Sequence, residues 1–99
     1  MLIAFSIAPA DADPDGSVSA AVADAIRIVR ASGLPNETNA MFTNLEGEWD
    51  EVMAVVKQAV DAVLAHSDRV SLVLKADIRP GHTGQLTAKV QRVNQRLEG

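Results

Sequence analysis

The segment NETNAMFTNLEGEWDEV, Asn36–Val52, is the most informative for predicting the fold because it places two short extended segments directly before a helix. The first segment is predicted to end near Phe42, and the second is predicted to run through Leu45 to Glu48. The chain is expected to reverse between Met41 and Leu45, although no Asn-Gly pair marks the turn. The acidic cluster that begins at Glu48 suits the positive end of a helix dipole. The pattern therefore predicts two strands followed by a helix.

The flanking sequence supplies further strands and helices. Leu2–Ala8 and Arg69–Ile78 both alternate with the period of two that is typical of strands. Ser17 is a suitable N-cap for a first helix, which is predicted to end at Ser32-Gly33. Apolar residues at helical spacing predict the buried stripes of three helices: Val18, Val22, Ala25, Ile26 and Val29; Val52, Val56, Ala59, Val60 and Val63; and Leu86, Val90, Val93 and Leu97 in a short C-terminal helix.

This order of elements predicts an α+β, ferredoxin-like βαββαβ fold with a short additional C-terminal helix. Right-handed crossovers fold two such units into a four-stranded antiparallel sheet with two helices on one face. A chain of 99 residues is long enough for one hydrophobic core but not for two. We therefore expect a single domain over residues 1–99.

The face of the sheet opposite the two main helices is predicted to have no helix of its own, and it is the expected binding surface. The bulky side chains that should face the helices are Ile3, Phe5, Ile7, Leu72, Leu74 and Ile78. The side chains assigned to the opposite face are Ser6, Ser71, Val73, Lys75 and Asp77, with Glu37, Asn39, Met41 and Thr43 from the second strand. Because such a face is too apolar to remain in water, we expect it to meet another subunit and to leave a pocket between subunits.

Composition excludes several classes of function. The net charge is −4, which disfavours a nucleic-acid surface because phosphate backbones require clustered Lys and Arg. The absence of cysteine excludes disulfides and thiolate metal sites and fits a reducing cytosol. No apolar run approaches the ~20 residues of a membrane span, and the apolar N-terminus lacks a positively charged lead-in. A cytoplasmic protein without membrane or nucleic-acid partners is expected.

The acidic loop DADPDG, Asp11–Gly16, matches only the first half of a calcium-binding loop. Val22 occupies the position where a bidentate Glu is required, so a solvated loop that complements the first helix dipole is favoured. Acylphosphatases use the equivalent loop, with Gly-rich amides and an Arg, to hold an anion. Three carboxylates and no basic residue disfavour that enzyme here.

Other candidate motifs favour structural roles. His66 ends the second helix and His82 lies in the PGHTG loop, which gives little support for a shared metal site. No Ser, His and Asp arrangement indicates nucleophilic catalysis. Trp49 is interpreted as a packing or interface residue, with a ligand border as the alternative. Lys75 is expected either to form an ion pair with an acidic neighbour or to remain solvated.

Three motifs indicate a family: SVS at the start of the first helix, EGEWDEVM at the start of the second, and KADIRPG at the end of the fourth strand. Together with the sequence between them, they resemble the small thiamine-binding protein family over nearly the whole chain. The resemblance implies a ferredoxin-like fold that binds thiamine without catalysis. It also implies homo-oligomers, commonly tetramers built by packing sheets, with no cofactor beyond the ligand.

The resemblance and the strand alternation together suggest which residues bind the ligand. A thiamine site should combine a carboxylate, an amide or hydroxyl and an apolar wall, since thiamine has a thiazolium cation and an aminopyrimidine edge. The predicted roles are Asn39 and Thr43 for the pyrimidine, Met41 for the rings, Asp77 or Glu37 for the charge, and Ser6 for a further hydroxyl. An error of one residue in register would replace Asn39 with Thr38 and Met41 with Phe42.

The chain also departs from the family pattern. Ala40, Phe42 and the longer acidic loop ADADPDG stand where relatives carry small residues and a short Gly-containing loop. The lack of a phosphate-binding cluster favours free thiamine, while Lys75 and Arg79 leave thiamine phosphate open. The alternatives are a regulatory or structural oligomeric domain that binds another small metabolite and, with less support, an acylphosphatase-like enzyme.

Overall fold

The computed structural model describes residues 1–10 and 19–99, and this part of the chain forms a four-stranded antiparallel sheet with three helices. The strand order is β2-β3-β1-β4. The elements in chain order are β1 (Leu2–Pro9), α1 (Ser19–Ala31), β2 (Asn36–Thr38), β3 (Thr43–Glu46), α2 (Trp49–Leu64), β4 (Val70–Asp77) and α3 (Gln85–Glu98). The predicted ferredoxin-like topology with an additional C-terminal helix is confirmed.

The core forms where β1 meets α1 and α2. Ile3, Phe5 and Ile7 alternate along β1 and are buried, as the period of two predicts. The two helices cover this side of the sheet with small and β-branched residues, which lets them pack closely on β1 and on each other. The helical residues of the core are Ala21, Ala25, Val29, Val52, Val55, Val56, Ala59 and Val63. Val60 of the predicted stripe is only partly buried.

The start of α2 follows from its acidic first turn. Glu48 is the N-cap, and its backbone nitrogen donates to Glu51 Oε1 at 3.0 Å in a reciprocal capping box. Asp50 adds a second negative charge near the positive end of the dipole. Trp49 is 55% exposed, so it does not pack in the core of the chain, and its role at an interface stays a prediction.

The hairpin differs from the sequence prediction. β2 ends at Thr38, and β3 already begins at Thr43. The reason is local: Asn39 Oδ1 accepts hydrogen bonds from the backbone nitrogens of Met41 and Phe42, each at 2.9 Å, and Asn39 N donates to Phe42 O. Asn favours turns because its side chain can bond its own backbone in this way. The prediction of Asn39, Met41 and Thr43 in the second strand is therefore wrong.

Strand register defines the face opposite α1 and α2, here called the open face. Directly paired residues in antiparallel strands share a face. Ser6 pairs with Val73, Ala4 with Lys75, and Leu2 with Asp77, so these residues lie on the open face as predicted. Leu72 and Leu74 share the helix side with Ile7 and Phe5. Leu72 nevertheless remains 41% exposed because β4 is an edge strand.

The open face is partly covered by α3, which corrects the expectation that no helix lies on it. Glu46 pairs with Leu2 and so faces this side, where its carboxylate accepts hydrogen bonds from the backbone nitrogens of Gln85 and Leu86. Gly84 precedes α3 with φ +67°, a left-handed conformation that glycine adopts without strain. Lys89, one turn further along the helix, contacts Asp77 at the end of β4. None of the residues of α3 is buried in the described chain.

Several predictions concern residues outside the described part of the chain. These are the calcium-loop interpretation of Asp11–Gly16, the comparison of that loop with a phosphate cradle, the N-cap Ser17 and the stripe residue Val18. Within residues 1–10 and 19–99, no helix is both long and apolar enough to cross a membrane.

Candidate functional site

A cavity of about 200 Å³ lies on the helix side of the sheet, between α1 and the loop that joins β2 to β3. Three elements form it: the middle of β1, one side of α1, and the hairpin from Thr38 to Thr43. The described residues that line it are Phe5, Ser6, Ile7, Val22, Ile26, Thr38, Asn39, Ala40, Met41, Phe42 and Thr43. The candidate site is therefore beside the core and not on the open face where the sequence analysis placed it.

Two threonines supply paired hydroxyl groups in this cavity. Thr38 and Thr43 are register partners at the end of the hairpin, and their Oγ1 atoms lie 3.3 Å apart. Thr43 also pairs with Phe5 and is buried, whereas Thr38 is exposed. Because each hydroxyl has one proton and two acceptor positions, the pair retains capacity for a ligand after bonding to itself.

Asn39 contributes an amide at the entrance of the hairpin loop. Its oxygen is occupied by the backbone nitrogens of Met41 and Phe42. No hydrogen bond within the described chain uses its Nδ2 atom, which therefore has two donor positions available. The orientation of the amide is fixed by the turn, so these donors are held in place before a ligand arrives.

The walls of the cavity are apolar and partly aromatic. Phe5 and Ile7 come from β1, and Val22 and Ile26 come from α1. Met41 is 73% exposed and Phe42 is 36% exposed, so the hairpin presents a flexible thioether and a ring at the surface of the site. Such side chains provide soft, polarisable contacts for a flat heterocycle.

The described lining of the cavity contains no ionisable side chain. Glu37 pairs with Asn44 on the open face and does not line the cavity. Asp77 is opposite Leu2, at the other end of β1, and forms an ion pair with Lys89. The hydrogen bond from Lys89 lowers the pKa of the Asp77 carboxyl below its ordinary value. Glu37 and Asp77 thus lie on the open face, as predicted, but apart from the polar residues of this cavity, and their contact with a ligand stays a prediction.

Four of the six predicted site residues do come together: Ser6, Asn39, Met41 and Thr43. Ser6 pairs with Val73 on the open face, so we expect its peptide group to border the cavity more closely than its hydroxyl does. The contributions of α1, Phe5 and Ile7 to the cavity lining were not predicted from the sequence, because Phe5 and Ile7 were assigned only to the core. The preference of Asn39 for turns was the signal that would have corrected the hairpin.

Comparison with known proteins places this geometry in a family. The family model described as "Thiamine-binding protein" matches residues 3–94 and so includes every described residue of the cavity. The chain belongs to the thiamine-binding protein family. The resemblance stated from its sequence motifs is confirmed.

The chain is also similar to proteins from bacteria and archaea. The UPF0045 protein Mb1933 of Mycobacterium bovis is 52% identical over 98 residues, which cover 98% of this chain and 94% of the relative. The UPF0045 protein MJ1052 of Methanocaldococcus jannaschii is 38% identical over 79 residues, which cover 80% of this chain and 79% of the relative.

Solved structures of similar proteins share the fold. The crystal structure of MJ1052 superposes with a TM-score of 0.83 at 35% identity and covers 95% of each chain. A protein of Thermotoga maritima, TM0486, is named as a proposed thiamine biosynthesis/salvage protein. Its structure gives a TM-score of 0.75 at 25% identity, over 92% of this chain and 97% of TM0486.

A metal centre finds no support in the described residues, which contain no group of three or more His, Asp or Glu side chains able to hold an ion. His66 and His82 have separate contacts. His66 Nε2 lies 2.7 Å from Asp24 Oδ2, and His82 Nδ1 lies 3.3 Å from the carbonyl oxygen of Pro80. The first contact joins the turn after α2 to α1, and the second remains within one turn.

Proposed function

We propose that this protein binds thiamine, without chemical conversion, in the cavity between α1 and the β2–β3 hairpin. One observation supports the proposal most directly: Thr38, Thr43 and Asn39 place uncharged polar groups beside an apolar wall. A neutral aminopyrimidine edge offers both donors and acceptors, which match two hydroxyls and an amide nitrogen. Membership of the thiamine-binding protein family supports the same ligand.

Size and charge suggest which part of the vitamin enters. A cavity of about 200 Å³ is smaller than the ~300 Å³ at the lower end of ordinary ligand pockets, so it suits one ring of a two-ring ligand. Burial of the thiazolium would require a nearby anion, because an unpaired charge is costly to desolvate. With no ionisable group in the described lining, the pyrimidine is the part that enters, and the cation stays at the solvent-exposed mouth beside Met41 and Phe42.

The role of the complex is buffering or sensing of the vitamin in the cytoplasm. This part of the proposal rests on the absence of a recognisable nucleophile or acid–base pair in the described lining, which contains only threonine, serine and asparagine as polar residues. A regulatory domain for another small metabolite is the competing hypothesis. The two hypotheses differ in the ligand that stabilises the fold.

Calorimetric titration and thermal unfolding test the proposal. Thiamine should bind saturably and raise the unfolding temperature, with a stabilisation of about 2.7 kcal/mol when its free concentration is about 100 times Kd. Amino acids at the same concentration should leave the unfolding temperature unchanged. Stabilisation by amino acids but not by thiamine would favour the competing hypothesis.

The variant Asn39→Asp separates recognition from folding. An aspartate oxygen can still accept the hydrogen bonds from Met41 and Phe42, so the turn should persist, but the two amide donors are lost. Thiamine affinity should fall about tenfold, the equivalent of one hydrogen bond of about 1.4 kcal/mol. Asn39→Ala should lose affinity as well, together with some stability of the hairpin.

Asn94→Asp is the matched control, since Asn94 is exposed on α3 and does not line the cavity. This variant makes the same change of charge and should bind thiamine as the parent protein does. Undiminished binding by both Asn39→Asp and Asn39→Ala would remove Asn39 from the site, whereas Asn39→Asp alone could regain affinity through attraction between its carboxylate and the thiazolium cation.

Self-association is the second part of the proposal. α3 has 14 residues, and isolated helices of this length are only marginally stable in water. Its apolar stripe is largely exposed: Val90, Val93 and Leu97 are 58%, 58% and 80% accessible. Three basic residues and one acidic residue give α3 a formal charge of +2, whereas the whole chain carries −4, which leaves −6 on the remainder. A second copy therefore offers a surface of complementary charge, in a homodimer or homotetramer.

A further inference from the structure

A second cavity of about 220 Å³ lies at the other end of the sheet. It is formed by the start of β1, the end of β4 and its following turn, and the first turns of α3. The lining residues are Met1, Leu2, Glu46, Asp77, Arg79, His82, Gln85 and Lys89. Leu2 and Ser6 are four residues apart on β1, so at about 3.3 Å per residue the two cavities are separated by about 13 Å. One small molecule does not occupy both.

The two carboxylates in this second cavity already have partners. Glu46 accepts hydrogen bonds from the backbone nitrogen of Gln85 at 2.9 Å and of Leu86 at 3.1 Å, so it occupies the positive end of α3. Asp77 accepts a hydrogen bond from the Lys89 ammonium group. The negative charge on this lining is therefore compensated from within the protein.

The basic side chains in the cavity have more hydrogen-bond donors than the two carboxylates accept from them. The Arg79 side chain forms no hydrogen bond or ion pair within residues 1–10 and 19–99, and its guanidinium presents five N–H donors in a planar fork. Its charge acts on Asp77 only at longer range, where it adds to the effect of Lys89 in lowering the pKa of that carboxyl. The His82 ring donates through Nδ1 to the carbonyl oxygen of Pro80 in its own turn, so the neutral ring supplies no further donor. Lys89 uses one of its three N–H donors on Asp77. Unused donors with positive charge thus line one small cavity of an acidic protein.

We propose that this second cavity binds a small oxyanion, with Arg79 as the principal donor and Lys89 as the supporting donor. A guanidinium matches the two oxygens of a carboxylate or phosphate in a bidentate geometry, and such charge-assisted bonds are among the strongest in proteins. The volume admits an anionic head group but not a drug-sized molecule. The anion is either free in solution or the phosphate of a metabolite whose remainder extends into solvent.

Acidic residues in the adjoining surface do not remove this preference. Glu48 and Glu51 line a neighbouring cavity that shares Glu46 and His82 with the proposed site. Both carboxylates are committed to the capping box at the start of α2. They are separate from the lining that contains Arg79 and Lys89.

Titration with inorganic phosphate, followed by ¹H–¹⁵N NMR, tests the proposal. The Arg79 Nε–H and the backbone amides of His82 and Gln85 should shift saturably with phosphate and much less with chloride at the same ionic strength, because general screening does not discriminate between these anions. Glycerol phosphate in a second arm distinguishes the sources. Tighter binding than inorganic phosphate indicates a phosphorylated metabolite, and equal or weaker binding indicates a free anion.

Two variants make the assignment specific. Arg79→Gln should lower phosphate affinity at least about tenfold, as expected for loss of a charge-assisted bidentate contact. Lys57→Gln removes one positive charge from the exposed surface of α2, and it should bind phosphate as the parent protein does. Unfolding temperatures of both variants establish that the fold is retained, and thiamine titration reports on the first cavity separately.

The proposal is overturned if phosphate and chloride produce the same non-saturating shifts, or if Arg79→Gln and Lys57→Gln weaken phosphate binding equally. The first result would indicate ionic screening alone, and the second would indicate a general effect of net charge.

Discussion

Glu46 on β3 lies 2.9 Å from the backbone nitrogen of Gln85, through its Oε2 atom, and this contact joins the sheet to α3. The residue is buried, although glutamate is rarely buried without a partner. Its two carboxylate oxygens satisfy two of the first amide groups of α3, which have no partner inside their own helix. One side chain thus fixes where the C-terminal helix begins.

Glu46→Ala should destabilise the protein and loosen α3. Removal of the carboxylate leaves the Gln85 and Leu86 amides without their partner, at a cost of about 1–3 kcal/mol. Urea unfolding gives the change in free energy, and hydrogen exchange should increase first in the opening turns of α3. Glu37→Ala, which removes an exposed glutamate on β2, should change stability by less than about 0.5 kcal/mol. Equal effects of the two substitutions would contradict the structural role of Glu46.

Thr43→Val should weaken thiamine binding while retaining the shape of the cavity. Valine replaces the hydroxyl with a methyl group, so the contact with Thr38 Oγ1 and one ligand-binding group are lost. We expect a decrease in affinity of about tenfold, measured by calorimetry. Thr87→Val on the exposed side of α3 provides the control. Retention of full affinity in Thr43→Val would show that the ligand does not contact this hydroxyl.

Stability should decrease in acid through Asp24. The hydrogen bond from His66 is the largest influence that lowers the pKa of the Asp24 carboxyl below 3.8, and Arg27 acts in the same direction. Because the folded-state pKa is below the unfolded value, the stabilising contribution is present above pH 3.8 and is lost as the pH falls through the folded-state pKa. Urea unfolding from about pH 6 to about pH 3 should show this loss.

The variants Asp24→Asn and His66→Ala should each flatten this acid-side dependence, because the first removes the titrating group and the second removes its main partner. An unchanged slope in both variants would assign the acid sensitivity to other carboxylates, such as Asp77, whose pKa is lowered mainly by Lys89.

Val93→Asp should shift the protein towards monomer. Val93 lies in the exposed apolar stripe of α3, and a carboxylate there opposes burial against a second, acidic copy. Analytical ultracentrifugation across a range of concentrations measures the change. Gln95→Asp on the opposite side of the helix adds the same charge and should leave assembly intact. A parent protein that is monomeric at every concentration would refute self-association.

The sequence was sufficient where burial alone determines the pattern. Alternation in β1 identified Ile3, Phe5 and Ile7 correctly, since one side of that strand must face the helices. The acidic start of α2 was also predicted from neighbouring residues alone, and Glu48 and Glu51 form a capping box there. The element order then left few topologies available.

The candidate site was harder to predict because it depends on contacts between distant residues. Asn39 ended β2 early through bonds to its own loop, which moved Thr43 into β3 and turned it towards α1. Asp77 and its partner Lys89 are 12 positions apart in the sequence. Glu46 is 39 and 40 positions from its partners in α3. Strand alternation contains no information about such pairings, so it could not show that Asn39, Met41 and Thr43 lie apart from Glu37 and Asp77.

Asn39 closes the hairpin loop and is also a proposed ligand contact, which limits the positions at which ligand selectivity can change. Its oxygen closes the loop, and its nitrogen has no partner in the described chain, so replacement at this position is expected to alter the loop and ligand recognition together. Ala40, Met41 and Phe42 also line the cavity, but no side-chain hydrogen bond of theirs holds the loop in the described structure. Substitutions at these three positions can therefore change ligand selectivity while the conformation of the hairpin is retained.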